Sequence, residues 1–282
     1  MPIESRSSMF ETFDGLGLYE QWWNPEGQAK AGIVIVHGLG EHSGRYHKTA
    51  LGLVKDGFSA YTYDLRGHGK SDGVLAAVDT FDDYLDDMSV CLSRVQEKHP
   101  KPLFLLGQSM GGLIAALYTA IHKPAIRGLI LIAPAVRLGE SVSAFKQKLT
   151  SLFGRIFPGM PTTAINPELL SRDEQVVADY ENDPLIFHGK IPAVTGLEML
   201  RAGKSLREQM DLIKVPVLIM HGQEDRLTSP QGSRELYEGI GSSDKTIKIY
   251  ENMQHDLLHE PDKQQIFHEI REWMNNRIRA EY

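Results

Sequence analysis

The chain has 282 residues, 41% of them hydrophobic and 24% charged, so it can bury a large core, and disorder is excluded as its main state. A net charge of -7 argues against nucleic acid as the main partner, because phosphate binding needs a basic face. The single cysteine, Cys91, permits no internal disulfide, and neither a signal-peptide pattern nor an apolar run of about eighteen residues is present, so a cytoplasmic location without a membrane span is expected.

In chain order, residues 9–13 and 16–23 read as short strands joined by Asp14-Gly15, a hairpin signal. Residues 31–36 form a nearly continuous apolar run, as expected of a parallel strand buried on both faces. It leads into a polar, glycine-rich loop, His37-Gly38-Leu39-Gly40-Glu41-His42-Ser43-Gly44-Arg45-Tyr46, and a helix over about 45–55. A strand over 58–65 and the turn Arg66-Gly67-His68-Gly69 come next. Thr80 then caps a helix with Asp82 and Asp83 in its first turn and an apolar stripe through Phe81, Tyr84, Leu85, Met88, Leu92 and Val95. His99-Pro100 ends it.

The apolar run 102–106 turns into a helix through Gly107-Gln108-Ser109-Met110-Gly111-Gly112, and 128–132 is another buried strand. Alternating strands and helices imply right-handed crossovers and an α/β fold with a doubly wound, mainly parallel sheet. In such sheets ligands bind beyond the carboxyl ends of the strands, where Ser109 and the loop from His37 both fall. The next strand, 215–220, begins about 80 residues after Pro134, far beyond an ordinary crossover. Residues 137–208 are therefore read as a helical cap inserted between two parts of a core, 1–136 and 209–282. Within it Phe145, Leu149, Leu152, Phe153, Ile156 and Phe157 share a helical face, flanked by Arg137, Lys146, Lys148 and Arg155. That face suits packing on the cap or body, or equally an acyl-lined entrance touching a lipid surface. A helix over 231–240, a strand over 246–250 and a helix over 263–278 complete the chain.

The G-x-S-x-G pattern at Ser109 marks a serine on a tight strand-to-helix turn, with the helix N-terminus aimed at any oxyanion beside it. A serine hydroxyl needs a base, and the base needs an orienting acid, supplied by later strand ends in the order serine, acid, histidine. After 215–220 stands His221-Gly222-Gln223-Glu224-Asp225-Arg226, which offers Glu224 or Asp225. After 246–250 stands Glu251-Asn252-Met253-Gln254-His255-Asp256-Leu257-Leu258-His259. His255, close to the strand end, is the expected base, and His259 is expected in a turn or at the surface. The His255 and His259 spacing lacks the glutamate of a zinc-protease helix, so no metal is expected. His37 and His68 are expected as hydrogen-bonded scaffold, and His47, His99, His122, His188 and His268 on the surface or on helix faces.

These five motifs, with Asn182-Asp183-Pro184-Leu185 in the cap, resemble the monoacylglycerol lipases of the α/β-hydrolase superfamily over nearly the whole chain. The resemblance implies a catalytic triad of Ser109, Asp225 and His255, with oxyanion donors from the Leu39 and Met110 amides. It implies no cofactor, and a small lipid ester as substrate. The family often carries another residue at Leu39, which affects pocket shape more than a backbone donor. Expected chemistry is acyl transfer through an acyl-enzyme, with a general carboxylesterase, a lysophospholipase or a non-catalytic ligand receptor as the alternatives.

Overall fold

The computed structural model describes residues 4–98, 102–139 and 154–279. The hairpin strands β1 (Arg6–Glu11) and β2 (Gly17–Trp23) precede β3 (Gly32–Val36), α1 (His47–Lys55), β4 (Ser59–Tyr63) and α2 (Asp82–Lys98). Then follow β5 (Leu103–Gln108), α3 (Met110–His122) and β6 (Gly128–Ile132). Past the long gap come α4 (Glu174–Asn182), α5 (Ala193–Gln209), β7 (Val217–Gly222), α6 (Pro230–Gly239), β8 (Lys245–Tyr250) and α7 (Lys263–Arg279).

The eight strands form one sheet in the order β1-β2-β4-β3-β5-β6-β7-β8. β1 pairs with β2, and β2 with β4, antiparallel; every later pair is parallel. This is the α/β-hydrolase fold, and the expected parallel, doubly wound core is borne out. The strand order reverses at β3, which lies between β4 and β5 with Val36 opposite Gly107. Crossovers leave this point on opposite sides of the sheet, so a crevice opens beyond the ends of β3 and β5.

Strands β3, β5 and β6 are buried along their whole length, because alternate side chains feed cores on both faces. Val34, Leu105, Leu131 and Ile219 pack under α2, α3 and α6. Ile35, Leu106, Ile130 and Leu218 pack under α1 and α7. Strand β8 is only half-buried, as befits an edge.

Helix α5 falls within the expected insertion, yet its inner face belongs to the main core. Met199, Ala202 and Leu206 join the cluster formed by α3, and Arg207 Nη1 donates to the Val136 carbonyl at 2.7 Å. Phe145, Leu149, Leu152 and Phe153 of the expected amphipathic face lie outside the described residues, as do Lys146, Lys148 and His99. Ile156 and Phe157 of that face are exposed, at 57% and 58%. No helix among the described residues is long and apolar enough to cross a membrane.

Fully buried Leu206 therefore supports the body. Leu206→Ala is expected to lower the unfolding free energy by about 2–5 kcal/mol, whereas Ile156→Ala, at a position 57% exposed, should change it by less than about 0.5 kcal/mol, as read by denaturant titration.

Candidate active site

Strand β5 ends at Gln108 and α3 begins at Met110, so Ser109 makes the whole turn. Its φ of 54° and ψ of -119° are strained for a residue with a Cβ. The turn is held from three sides. Ser109 N–H donates to the Ile132 carbonyl at 2.9 Å, and its own carbonyl accepts from Leu113 at 3.1 Å and Ala135 at 2.9 Å. Neighbouring backbone comes so close that only glycine fits beside it. A Cβ on Gly107 would stand 2.2 Å from the Gly111 carbonyl oxygen, and one on Gly111 the same distance from that of Val36. Ser109 is half-buried and faces a cavity.

Beyond β7, the two candidate acids separate by burial: Glu224 is exposed and Asp225 is 6% exposed. His255 Nδ1–H donates to Asp225 Oδ2 at 2.7 Å. Asp225 also accepts from the Leu227 amide at 2.8 Å and the Thr228 amide at 3.0 Å on Oδ1. Although burial opposes its charge, the His255 and His221 rings hold its carboxyl far below the ordinary value. His255 is the mirror case. Burial works against its imidazolium, but Asp225, with Asp256 and Glu41 beyond it, raises its pKa above the ordinary 6.5. With Nδ1–H committed to Asp225, Nε2 is the nitrogen left to take a proton.

Beyond β3, the polar loop is fixed by buried charge. Glu41 Oε1 accepts the Gly38 amide at 2.6 Å and lies 3.0 Å from the Tyr46 hydroxyl. Arg45 spans from Glu41 Oε2 at 2.5 Å to Asp256 Oδ2 at 2.8 Å. Asp256 Oδ1 also accepts from Gln108 Nε2 and from His259 Nδ1, both at 2.8 Å. One carboxylate thus touches the residue before Ser109, and it directly follows His255 in the chain. Leu39 lines the cavity, and among the described residues its amide has no acceptor. Met110 opens α3, so its amide has no intrahelical acceptor.

His37 and His68 are scaffold, as expected. His37 Nδ1–H donates to the Gly38 carbonyl at 2.7 Å, and its Nε2 accepts the Leu65 amide at 2.9 Å. His68 donates to the Arg66 carbonyl at 2.9 Å, and burial lowers its pKa to about 4. His259 sits in the expected turn, bonded to Asp256 and to the Arg45 carbonyl. His47, His122, His188 and His268 are exposed. Among the described residues no cluster has the makeup of a metal site. Glu41, Arg45, Gln108, Asp256 and His221 were not foreseen as site residues. The spacing of Glu41 and Arg45 by four residues was the signal available.

Ser109 and His255 line one cavity of about 360 Å³. Its walls are largely apolar, including Leu138, Ile165, Leu169, Leu170, Met199 and Leu200. The segment above it is tied to the polar loop, with Phe187 N–H donating to the Gly40 carbonyl at 2.8 Å and His42 Nε2 lying 2.9 Å from Asp183 Oδ2.

A serine on the strained turn after β5, a hydrogen-bonded acid and histidine on the later loops, and the reversal of strand order between β4 and β5 define an α/β-hydrolase. More narrowly, a family model described as serine aminopeptidase, S33, matches residues 27–262, and the chain belongs to that family. Among its relatives, the monoglyceride lipase of Rattus norvegicus is 35% identical over 269 residues, 94% of this chain and 89% of its own length. The monoacylglycerol lipase of Mycolicibacterium smegmatis is 30% identical over 266 residues, 94% of this chain and 95% of its own. The crystal structure of a monoacylglycerol lipase from Paleococcus ferrophilus matches with a TM-score of 0.80 at 30% identity, covering 98% of this chain and 100% of that one.

The buried carboxylates have a consequence for acid stability. Asp225 and Asp256 are both held well below their ordinary 3.8, so their contribution is complete above that value and is lost as pH falls below it. His255, with a raised pKa, has the opposite sign: its contribution is complete below the ordinary value and is lost as pH rises through the raised one. Denaturant midpoints should therefore fall steeply below about pH 4. Asp256→Asn should flatten that slope and lower the neutral-pH midpoint, because Arg45 then loses a buried partner.

Proposed function

We propose that the protein is a serine hydrolase that cleaves monoacylglycerols to fatty acid and glycerol through an acyl-enzyme on Ser109. The observation that carries the reading is the shared apolar cavity, which is lined by both the half-buried Ser109 and the aspartate-bound His255. In the proposed cycle His255 takes the Ser109 proton as the oxygen attacks the ester carbonyl, and the Leu39 and Met110 amides hold the oxyanion. His255 then protonates the leaving glycerol oxygen, and water repeats both steps on the acyl-enzyme. Asp225 fixes the ring with Nε2 toward the serine and stabilises the imidazolium.

The relatives bear lipase names, while the family description names an aminopeptidase. An enzyme that selects a free amino terminus needs a carboxylate to receive the ammonium. Glu41 is the carboxylate lining the cavity among the described residues, and it is already engaged by Gly38, Arg45 and Tyr46. This favours the uncharged ester.

In this reading residues 137–208, apart from the face of α5 that packs into the main core, act as the cap that selects the acyl chain. Peripheral contact with a lipid surface would use Ile156, Phe157 and Met160, all exposed beside Arg155. Sedimentation with anionic vesicles should fall when Ile156 and Phe157 are changed to serine; undiminished sedimentation would remove this contact from the account.

The decisive panel compares 1- and 2-monoacylglycerols, lysophosphatidylcholine and short nitrophenyl esters across chain length. Monoacylglycerols should give the highest kcat/KM, and preference for lysophosphatidylcholine would reassign the substrate. Ser109→Ala should lower kcat by about 10⁴-fold or more in a folded protein; retained turnover would exclude the mechanism. Because His255 must be neutral to accept a proton, kcat/KM should rise with pH through a midpoint above the ordinary 6.5 of a histidine.

A further inference from the structure

The acid of the proposed triad is bound by two histidines. Asp225 Oδ2 lies 2.7 Å from His255 Nδ1, 3.0 Å from His221 Nε2 and 2.8 Å from Thr228 Oγ1. His221 belongs to the end of β7 and is completely buried. It is not among the residues lining the cavity, so it does not reach a substrate. Its other nitrogen, Nδ1, is 2.7 Å from Ser233 Oγ on α6, also completely buried. A neutral ring with its proton on Nε2 satisfies both bonds: Nε2–H donates to Asp225, and Nδ1 accepts the serine hydroxyl proton.

We propose that His221, oriented by Ser233, is a positioning residue for the reaction: it holds Asp225 in place and limits how basic His255 becomes. The proposal rests on the triad of Ser109, Asp225 and His255. Its logic is competition for one oxygen. A carboxylate has about four lone-pair directions, and Asp225 receives two backbone amides on Oδ1 and three side-chain groups on Oδ2. Each donor draws charge from the carboxylate and so reduces what is left to stabilise an imidazolium at His255. The two amides and Thr228 come from the turn following Asp225. His221 comes from the strand, and it anchors the carboxylate to β7 and, through Ser233, to α6.

The other groups acting on His255 do not substitute for this effect. Asp256 and Glu41 are carboxylates that raise its pKa in the same direction as Asp225. Arg45 stands beyond them, paired to both. Thr228 Oγ1, 3.3 Å from His255 Nδ1 and 3.1 Å from the Ala133 carbonyl, is uncharged. Among the donors to Asp225, His221 is the one held by strand β7 and not by the turn that follows the acid or by His255 itself. Its loss should raise the pKa of His255 and loosen the aspartate together.

The test measures kcat, KM and the acid limb of kcat/KM with a 2-monoacylglycerol for wild type, His221→Leu, His221→Gln and Ser233→Ala, with thermal unfolding of each. His221→Leu should lower kcat about tenfold with KM little changed, and move the acid limb up by about half a pH unit. His221→Gln, whose amide can still donate to Asp225, should restore the limb and most of kcat. Should the leucine variant fail to fold, Ser233→Ala carries the test, with a smaller limb shift in the same direction. Folded variants whose acid limb coincides with wild type, or a glutamine variant as impaired as leucine, would overturn the proposal, because a merely structural histidine alters the unfolding temperature and not the limb. A wild type that hydrolyses no ester and takes no fluorophosphonate on Ser109 would overturn the triad and this role together, whereas an active wild type with unmoved limbs overturns only the role of His221.

Discussion

The structure depends on the backbone contact that lets β5 turn into α3 within a single residue. Gly107 and Gly111 meet the facing backbone so closely that a Cβ on either would overlap a carbonyl, and Ser109 between them is held at a positive φ. Such strain persists only where surroundings over-determine it. Here the hydrogen bonds to Ile132, Leu113 and Ala135 do so, with β3 and β6 paired on either side of β5. The serine is presented at a sheet end because its neighbours leave the chain no other path.

A second constraint joins loops that are distant in sequence. Arg45 bridges Glu41, which pins the Gly38 amide, and Asp256, which follows His255. Burying such charges opposes folding unless each is paired and its remaining lone pairs are filled. Glu41 and Asp256 meet that condition through Gly38, Tyr46, Gln108 and His259. The network therefore contributes geometry more than stability. It ties the loop after β3 to the loop after β8, and through Gln108 to the residue before Ser109.

Much of this was legible in the sequence, for identifiable reasons. Residues 31–36 and 128–132 read as buried strands because both their faces are covered, and Asp14-Gly15 marked the hairpin, whose loop spans 12–16 with Gly15 at a φ of 86°. Composition did not separate Glu224 from Asp225, since either carboxylate can orient a histidine. Burial separates them, with Glu224 in solvent and Asp225 against His255. The gap before β7 read as one insertion throughout, yet α5 gives Met199, Ala202 and Leu206 to the main core, and apolar periodicity does not reveal which layer a face will join. The roles of Arg45, Asp256 and His221 were hidden because each depends on partners brought together only by the fold.

The central claim is that Ser109 is the nucleophile and His255 its base. The most direct measurement is peptide mass mapping after treatment with a long-chain fluorophosphonate, comparing wild type with folded His255→Ala. The account predicts one adduct, on the peptide containing Ser109, formed rapidly in wild type and at least about 10³-fold more slowly in the variant. An adduct on a different residue, or equal rates in the two proteins, would contradict it.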